Sequence, residues 1–223
     1  MLSQAIGELL PYAVGIALSP IPIIAVIVML GTPKARTNGP AFALGWVIGL
    51  TVVSVAVALL ASGADDSSST AATTVSWFNV FLGLLLLAMA ARRWRGRPKA
   101  GEVQEMPAWL SAVDSFTPVK SLGLGVLLSG ANPKNLALAA AAGASIAQAG
   151  VAEGQEVAAV AIFVVLASVT VVGSVLFYVF GGSRAERPLA AIKTFMTDNN
   201  STIMMVILLI FGVKQLGEGL PGL

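Results

Sequence analysis

The sequence of 223 residues contains no cysteine and no histidine, and only 11% of it is charged. Without thiols there is no disulfide framework and no thiolate nucleophile. Without imidazole, the commonest metal ligand and the commonest general base near neutral pH are missing. Metalloprotease and thiol chemistry therefore have no residues to work with. No G-x-x-x-x-G-K-[ST] loop occurs, so the chain is not expected to hydrolyse a nucleotide itself. No enzymatic role, no cofactor and no nucleic-acid partner are expected. The first ten residues lack Lys and Arg, which a secretory signal would carry at its start. The first apolar block is therefore read as a retained span.

What is abundant is apolar surface. Hydrophobic residues make up 57% of the chain, against about 45–50% apolar and about 25% charged in an ordinary soluble domain. They fall in blocks, most of them about 18 residues or longer, enough to cross a hydrocarbon core of about 30 Å. The expected fold is an all-α integral membrane protein with six transmembrane helices. The spans run Ile6–Leu30, Pro40–Ala61, Trp77–Ala91, Val119–Ala149, Val157–Phe180 and Ser201–Leu216. The third is the shortest, flanked by Trp77 and Trp94 at headgroup level. Ser67–Thr74, after Asp65 and Asp66, reads as a polar loop.

The basic residues orient the spans. Eleven of the thirteen lie in the loops after spans one, three and five: Lys34 and Arg36; Arg92 through Lys120; Arg184, Arg187 and Lys193. The positive-inside rule assigns those loops to the cytoplasm and both termini to the outside of the cytoplasmic membrane. The chain also divides into halves, residues 1–95 and 119–223, joined by a basic cytoplasmic linker of residues 96–118. Each half has an odd number of spans, so a duplicated unit would insert in opposite directions, as two inverted three-helix repeats. Span one carries Ser19-Pro20-Ile21-Pro22 and span four carries Asn132-Pro133-Lys134-Asn135. Corresponding proline breaks in helices one and four point to a transport site; prolines also simply kink membrane helices. Within the linker, Trp109, Leu110, Val113 and Phe116 share one face of a short helix. It could lie on the membrane or pack on the protein.

Lys134 is the one charge deep in a span, where it costs about 2.5–3.5 kcal/mol or more on insertion scales. Span four would be about 46 Å long if continuous, so two half-helices meeting at Asn132–Asn135 fit better. The second would aim its N-terminal N–H groups at the break. No Asp or Glu is expected inside the spans, which leaves an anionic substrate group as the natural partner of Lys134. Alternatively, the ammonium snorkels to water. Ser19 is expected to cap the first break, facing Asn132 and Asn135, or to bond to its own helix. A Ser129–Lys134 dyad lacks an orienting partner. Gly45 and Gly49, and the Ala139–Gly143 run, suit close helix packing. Asn199 and Asn200 are expected to cap span six.

Several elements together resemble a known family: Ser19-Pro20-Ile21-Pro22, Gly31-Thr32-Pro33-Lys34-Ala35-Arg36, Asn38-Gly39, Gly45-Trp46, Asp114, Thr117-Pro118-Val119-Lys120 and Asn132-Pro133-Lys134-Asn135-Leu136. The chain looks like the GAP family, the actinobacterial peptidoglycolipid and sulfolipid addressing proteins of the lysine-exporter (LysE) superfamily. The resemblance implies outward movement of cell-envelope glycolipids. It also implies a central site lined by Ser19, Pro20, Pro22, Asn132, Pro133, Lys134 and Asn135. The leading expectation is a transporter or flippase for an anionic lipid or glycolipid. An exporter of small amino acids or cations is the second. An accessory subunit bound to envelope-lipid synthesis or transport proteins is the third. A homodimer is compatible with each.

Overall fold

The computed structural model describes residues 2–62, 69–97, 107–148 and 153–222. Asp65, Asp66 and linker residues 98–106, Lys99 included, lie outside the described residues. The chain is all-α, with no strand among the described residues. The helices are α1 (Leu2–Ala17), α2 (Pro20–Leu30), α3 (Ala35–Ser62), α4 (Ser69–Arg95), α5 (Pro118–Val126), α6 (Pro133–Gln148), α7 (Glu153–Gly181), α8 (Glu186–Asp198) and α9 (Asn200–Gly219). Among the described residues three runs are long and apolar enough to cross a membrane: Ala35–Leu60, Gly154–Asp198 and Asn200–Gly219. The pair Ala5–Ala17 and Pro20–Leu30, bent by 53°, makes a fourth if taken as one broken span.

The helix pairings correspond between the two halves. Helix α3 packs on α5 and α6, and α7 packs on α1 and α2. Helices α3 and α7 touch each other, as do α4 and α9. The α3–α5 seam is close because glycines line it. A methyl group at Gly45 would collide with the carbonyl of Leu122, and one at Gly125 with the carbonyl of Phe42. A Cβ at Gly49 would meet the hydroxyl of Ser129. This is the small-residue packing expected of Gly45 and Gly49. Gly143, at the end of the Ala139–Gly143 run, likewise lies 2.9 Å from the Ser54 carbonyl, measured from an added Cβ.

One expectation changes, and one open alternative is decided. Helix α4 spans 27 residues and begins at Ser69, so residues 69–74 continue the helix instead of forming a loop. In the linker, Ala108–Ser115 is a 3-10 helix docked on the protein. Val113 is fully buried, Trp109, Leu110 and Phe116 pack on the core, and Asn38 Nδ2 donates to the Phe116 carbonyl at 3.0 Å.

Candidate functional site

Two chain breaks face each other, and both are built the same way. The residue before a proline is sterically excluded from the helical region. Ser19, before Pro20, is extended (φ −73°, ψ 109°), and so is Asn132, before Pro133 (φ −70°, ψ 120°). Each proline then opens the next helix, where its missing N–H costs nothing. A π-helical turn, Leu127–Ala131, precedes Asn132. Helix four is thus interrupted as expected, with the π turn as an addition that the sequence did not announce.

Breaking α1 leaves its last carbonyls without helical donors. Lys134 Nζ donates to the Gly15 carbonyl at 2.7 Å, Ser19 N and Oγ reach the Ile16 carbonyl, and Thr170 Oγ1 donates to the Ala17 carbonyl at 2.6 Å. Lys134 Nζ also donates to Ser19 Oγ at 2.6 Å. The Ser19 hydroxyl has two acceptors in reach, Ile16 O at 2.6 Å and Asn135 Oδ1 at 3.0 Å, and one proton to give. Asn135 Nδ2 donates to the Leu128 carbonyl in the π turn, and Asn132 Oδ1 accepts from Lys134 N.

Of the seven residues expected at this centre, Ser19, Lys134 and Asn135 meet directly, and all three are buried, Lys134 completely. Asn132 is half-buried and holds the first turn of α6. Pro20 and Pro22 are buried and shape the start of α2, whereas Pro133 is exposed on the outer side of its helix. The ammonium does not snorkel. Among the described residues its two partners are neutral oxygens, and the C-terminus of α1 beside it supplies a negative field equivalent to about half a charge. The N-terminus of α6 adds a comparable positive field from its own side. The two helix-end fields largely offset one another, so a protonated Lys134 meets no full counter-charge among the described residues. Ser129 does not join the centre: its hydroxyl donates to the Gly125 carbonyl at 2.9 Å.

A second polar cluster was not foreseen. Tyr12 OH lies 2.7 Å from Gln215 Oε1 and 3.0 Å from Glu218 Oε2, and accepts from Lys214 Nζ at 2.7 Å. Lys214 pairs with Glu218 and lies 4.3 Å from the Tyr12 ring centre. Gln215 Nε2 reaches Asn79 Oδ1 at 3.4 Å, tying α1, α9 and α4. This corrects the expected absence of acids: Glu8 lies within α1, and Glu218 is helical because α9 continues past Leu216 to Gly219. A signal was present in the polar Tyr12, Asn79 and Gln215 on otherwise apolar helices. Nor does the Asn199 side chain cap α9; its Nδ2 donates back to the Phe195 carbonyl and closes α8.

A family model described as Sap, sulfolipid-1-addressing protein, matches residues 9–221. No curated protein and no solved structure matches the chain.

Proposed function

The chain belongs to the sulfolipid-1-addressing protein family, and from that membership we propose that it carries an anionic envelope lipid or glycolipid across the cytoplasmic membrane, with Lys134 as the group that receives the anion. The observation that carries this reading is the fully buried Lys134 amine, held among the described residues by the Gly15 carbonyl and the Ser19 hydroxyl and by no carboxylate. A buried charge without a full counter-charge is costly inside a bilayer and marks a functional position. A sulfate, phosphate or carboxylate would supply that counter-charge. It would also compete with Gly15 and Ser19 for the ammonium, so binding would loosen α1 from α6.

The reading includes six spans, formed by α1–α2, α3, α4, α5–α6, α7 and α9, arranged as two inverted repeats within the lysine-exporter superfamily. The paired Ser19-Pro20 and Asn132-Pro133 breaks and the matching helix contacts support it. Both termini then lie outside the cytoplasm, and the span ends and connections bearing Lys34, Arg93 and Arg184 lie inside.

The test is headgroup selectivity in proteoliposomes. A fluorescent anionic lipid should cross faster than a zwitterionic lipid with the same tails. Equal acceleration of both, or of neither, would contradict an anion-handling centre.

A further inference from the structure

A groove of about 430 Å³ runs along the seam between α3 and α7. Thr51, Val55 and Leu59 line it from α3, and Glu156, Val160 and Val165 from α7. Val160 is buried at its floor, whereas Leu59 and Val165 are exposed at its rim. It therefore opens outward from the bundle. Thr51 Oγ1 already donates to the Val47 carbonyl at 2.8 Å. That leaves the Glu156 carboxylate as the polar group that the lining offers to an occupant.

Length and charge narrow the occupant. Thr51 to Leu59 is about 12 Å of helix, and Glu156 to Val165 about 14 Å, at 1.5 Å per residue. One leaflet of a hydrocarbon core is about 15 Å thick. Glu156 lies in the first turn of α7, immediately before the apolar run that begins at Val157. The groove is thus one leaflet deep and apolar along its length, with a carboxylate at the headgroup end. That carboxylate has no ion pair and no hydrogen bond among the described residues. No Lys or Arg occurs from residue 37 to 91 or from 135 to 183. Helix α7 therefore brings no cation to the seam, and α3 brings only Arg36, at its other end. A second copy of the chain laid along the same face would meet the same lack. The counter-charge has to come from a different molecule.

We infer that the groove holds one acyl chain of an aminophospholipid of the phosphatidylethanolamine type, with its primary ammonium on Glu156. Such an ammonium has three N–H donors for the carboxylate. A choline headgroup has none, and the carboxylate repels a purely anionic headgroup. This preference is the opposite of an anion site, and it belongs to a different pair of helices from Lys134 on α6. The bound lipid sits where two helix groups meet, because α3 packs on α5 and α6 while α7 packs on α1 and α2. Filling the groove braces one group against the other.

The full chain in a maltoside detergent is titrated with dioleoyl lipids carrying ethanolamine, choline or glycerol headgroups. Native mass spectrometry counts the lipids bound. The ethanolamine lipid should bind roughly tenfold more tightly than either of the others, as expected for hydrogen bonds to a charged group. Glu156→Gln should erase the preference over the choline lipid. Ala161→Phe, which places a ring in the groove, should weaken binding of the ethanolamine lipid while Glu156 remains. Ala161 is exposed and Glu156 half-buried, so both variants should fold. The measurement makes no use of transport, so its outcome is independent of the role of Lys134. Three headgroups bound alike, or a preference that survives Glu156→Gln, would overturn the inference. So would a dimer that excludes lipid and comes apart in Ala161→Phe, because the groove would then belong to a second copy.

Discussion

Lys134 Nζ lies 2.7 Å from the carbonyl oxygen of Gly15, a residue 119 positions earlier in the chain. One half of the protein thereby caps the broken helix of the other. The contact links two helix ends whose dipoles point opposite charges at the same spot, and Ser19 completes it. The arrangement separates residues that hold the centre together from those that merely lie near it.

Replacing Ser19 by alanine removes an acceptor of Lys134 and a donor within reach of Ile16 and Asn135. Leaving buried partners unsatisfied costs about 1–3 kcal/mol. Ser168 is also buried, but its hydroxyl has no hydrogen-bond partner among the described residues. Thermal unfolding in detergent should therefore show a lowered midpoint for Ser19→Ala and an unchanged or raised one for Ser168→Ala. The reverse order would mean that the Ser19 contacts contribute nothing.

The α3–α5 seam makes a sharper prediction. Gly45→Ala forces a methyl group against the Leu122 backbone, and overpacking of this kind costs about 1–3 kcal/mol or more. Gly123, on the same helix as Leu122, has open space around an added Cβ. Gly123→Ala should stay within about 0.5 kcal/mol of the parent. Size-exclusion profiles and unfolding midpoints of the two variants decide the point.

Tyr12 and Gln215 should be energetically coupled. They are 203 positions apart, yet their side chains share a 2.7 Å hydrogen bond in a buried setting. A double-mutant cycle with Tyr12→Phe and Gln215→Leu should return a coupling of about 0.5–3 kcal/mol. A value near zero would mean that the cluster does not tie α1 to α9.

The natural lack of cysteine makes topology simple to test. Single substitutions Arg36→Cys and Arg184→Cys should resist a membrane-impermeant maleimide in intact cells, and Gly154→Cys and Leu220→Cys should react. The opposite pattern would invert the orientation drawn from the basic loops.

Much of this architecture can be read from particular residues. Pro20 and Pro133 announce both helix breaks because a proline constrains the residue before it as well as its own N–H. Gly45 and Gly49 announce a close seam, although nothing in the chain names Leu122 and Gly125 as the other side. Ser19 was legible as one partner of Lys134, but the other, the Gly15 carbonyl, was not: every residue possesses a backbone carbonyl, so no side chain marks it. The Tyr12 cluster escaped because its members are far apart in the chain and because α9 runs three residues further than its apolar block. Helix α4 was underestimated for the same reason. Packing on a neighbour extends a helix beyond the stretch that the membrane requires.

The Lys134 ammonium carries the account, and Lys134→Met tests it most directly. Methionine keeps an unbranched side chain and removes the charge. Leaving the Gly15 carbonyl and the Ser19 hydroxyl without this donor costs about 1–3 kcal/mol, less than the roughly 5–15 kcal/mol that holds a typical domain folded. The variant should therefore elute as a single folded species. In proteoliposomes it should move the fluorescent anionic lipid at least roughly tenfold more slowly than the parent, the loss expected when a charged hydrogen-bond partner is removed. A folded Lys134→Met protein that translocates this lipid at the parent rate would contradict the claim that Lys134 receives the anion.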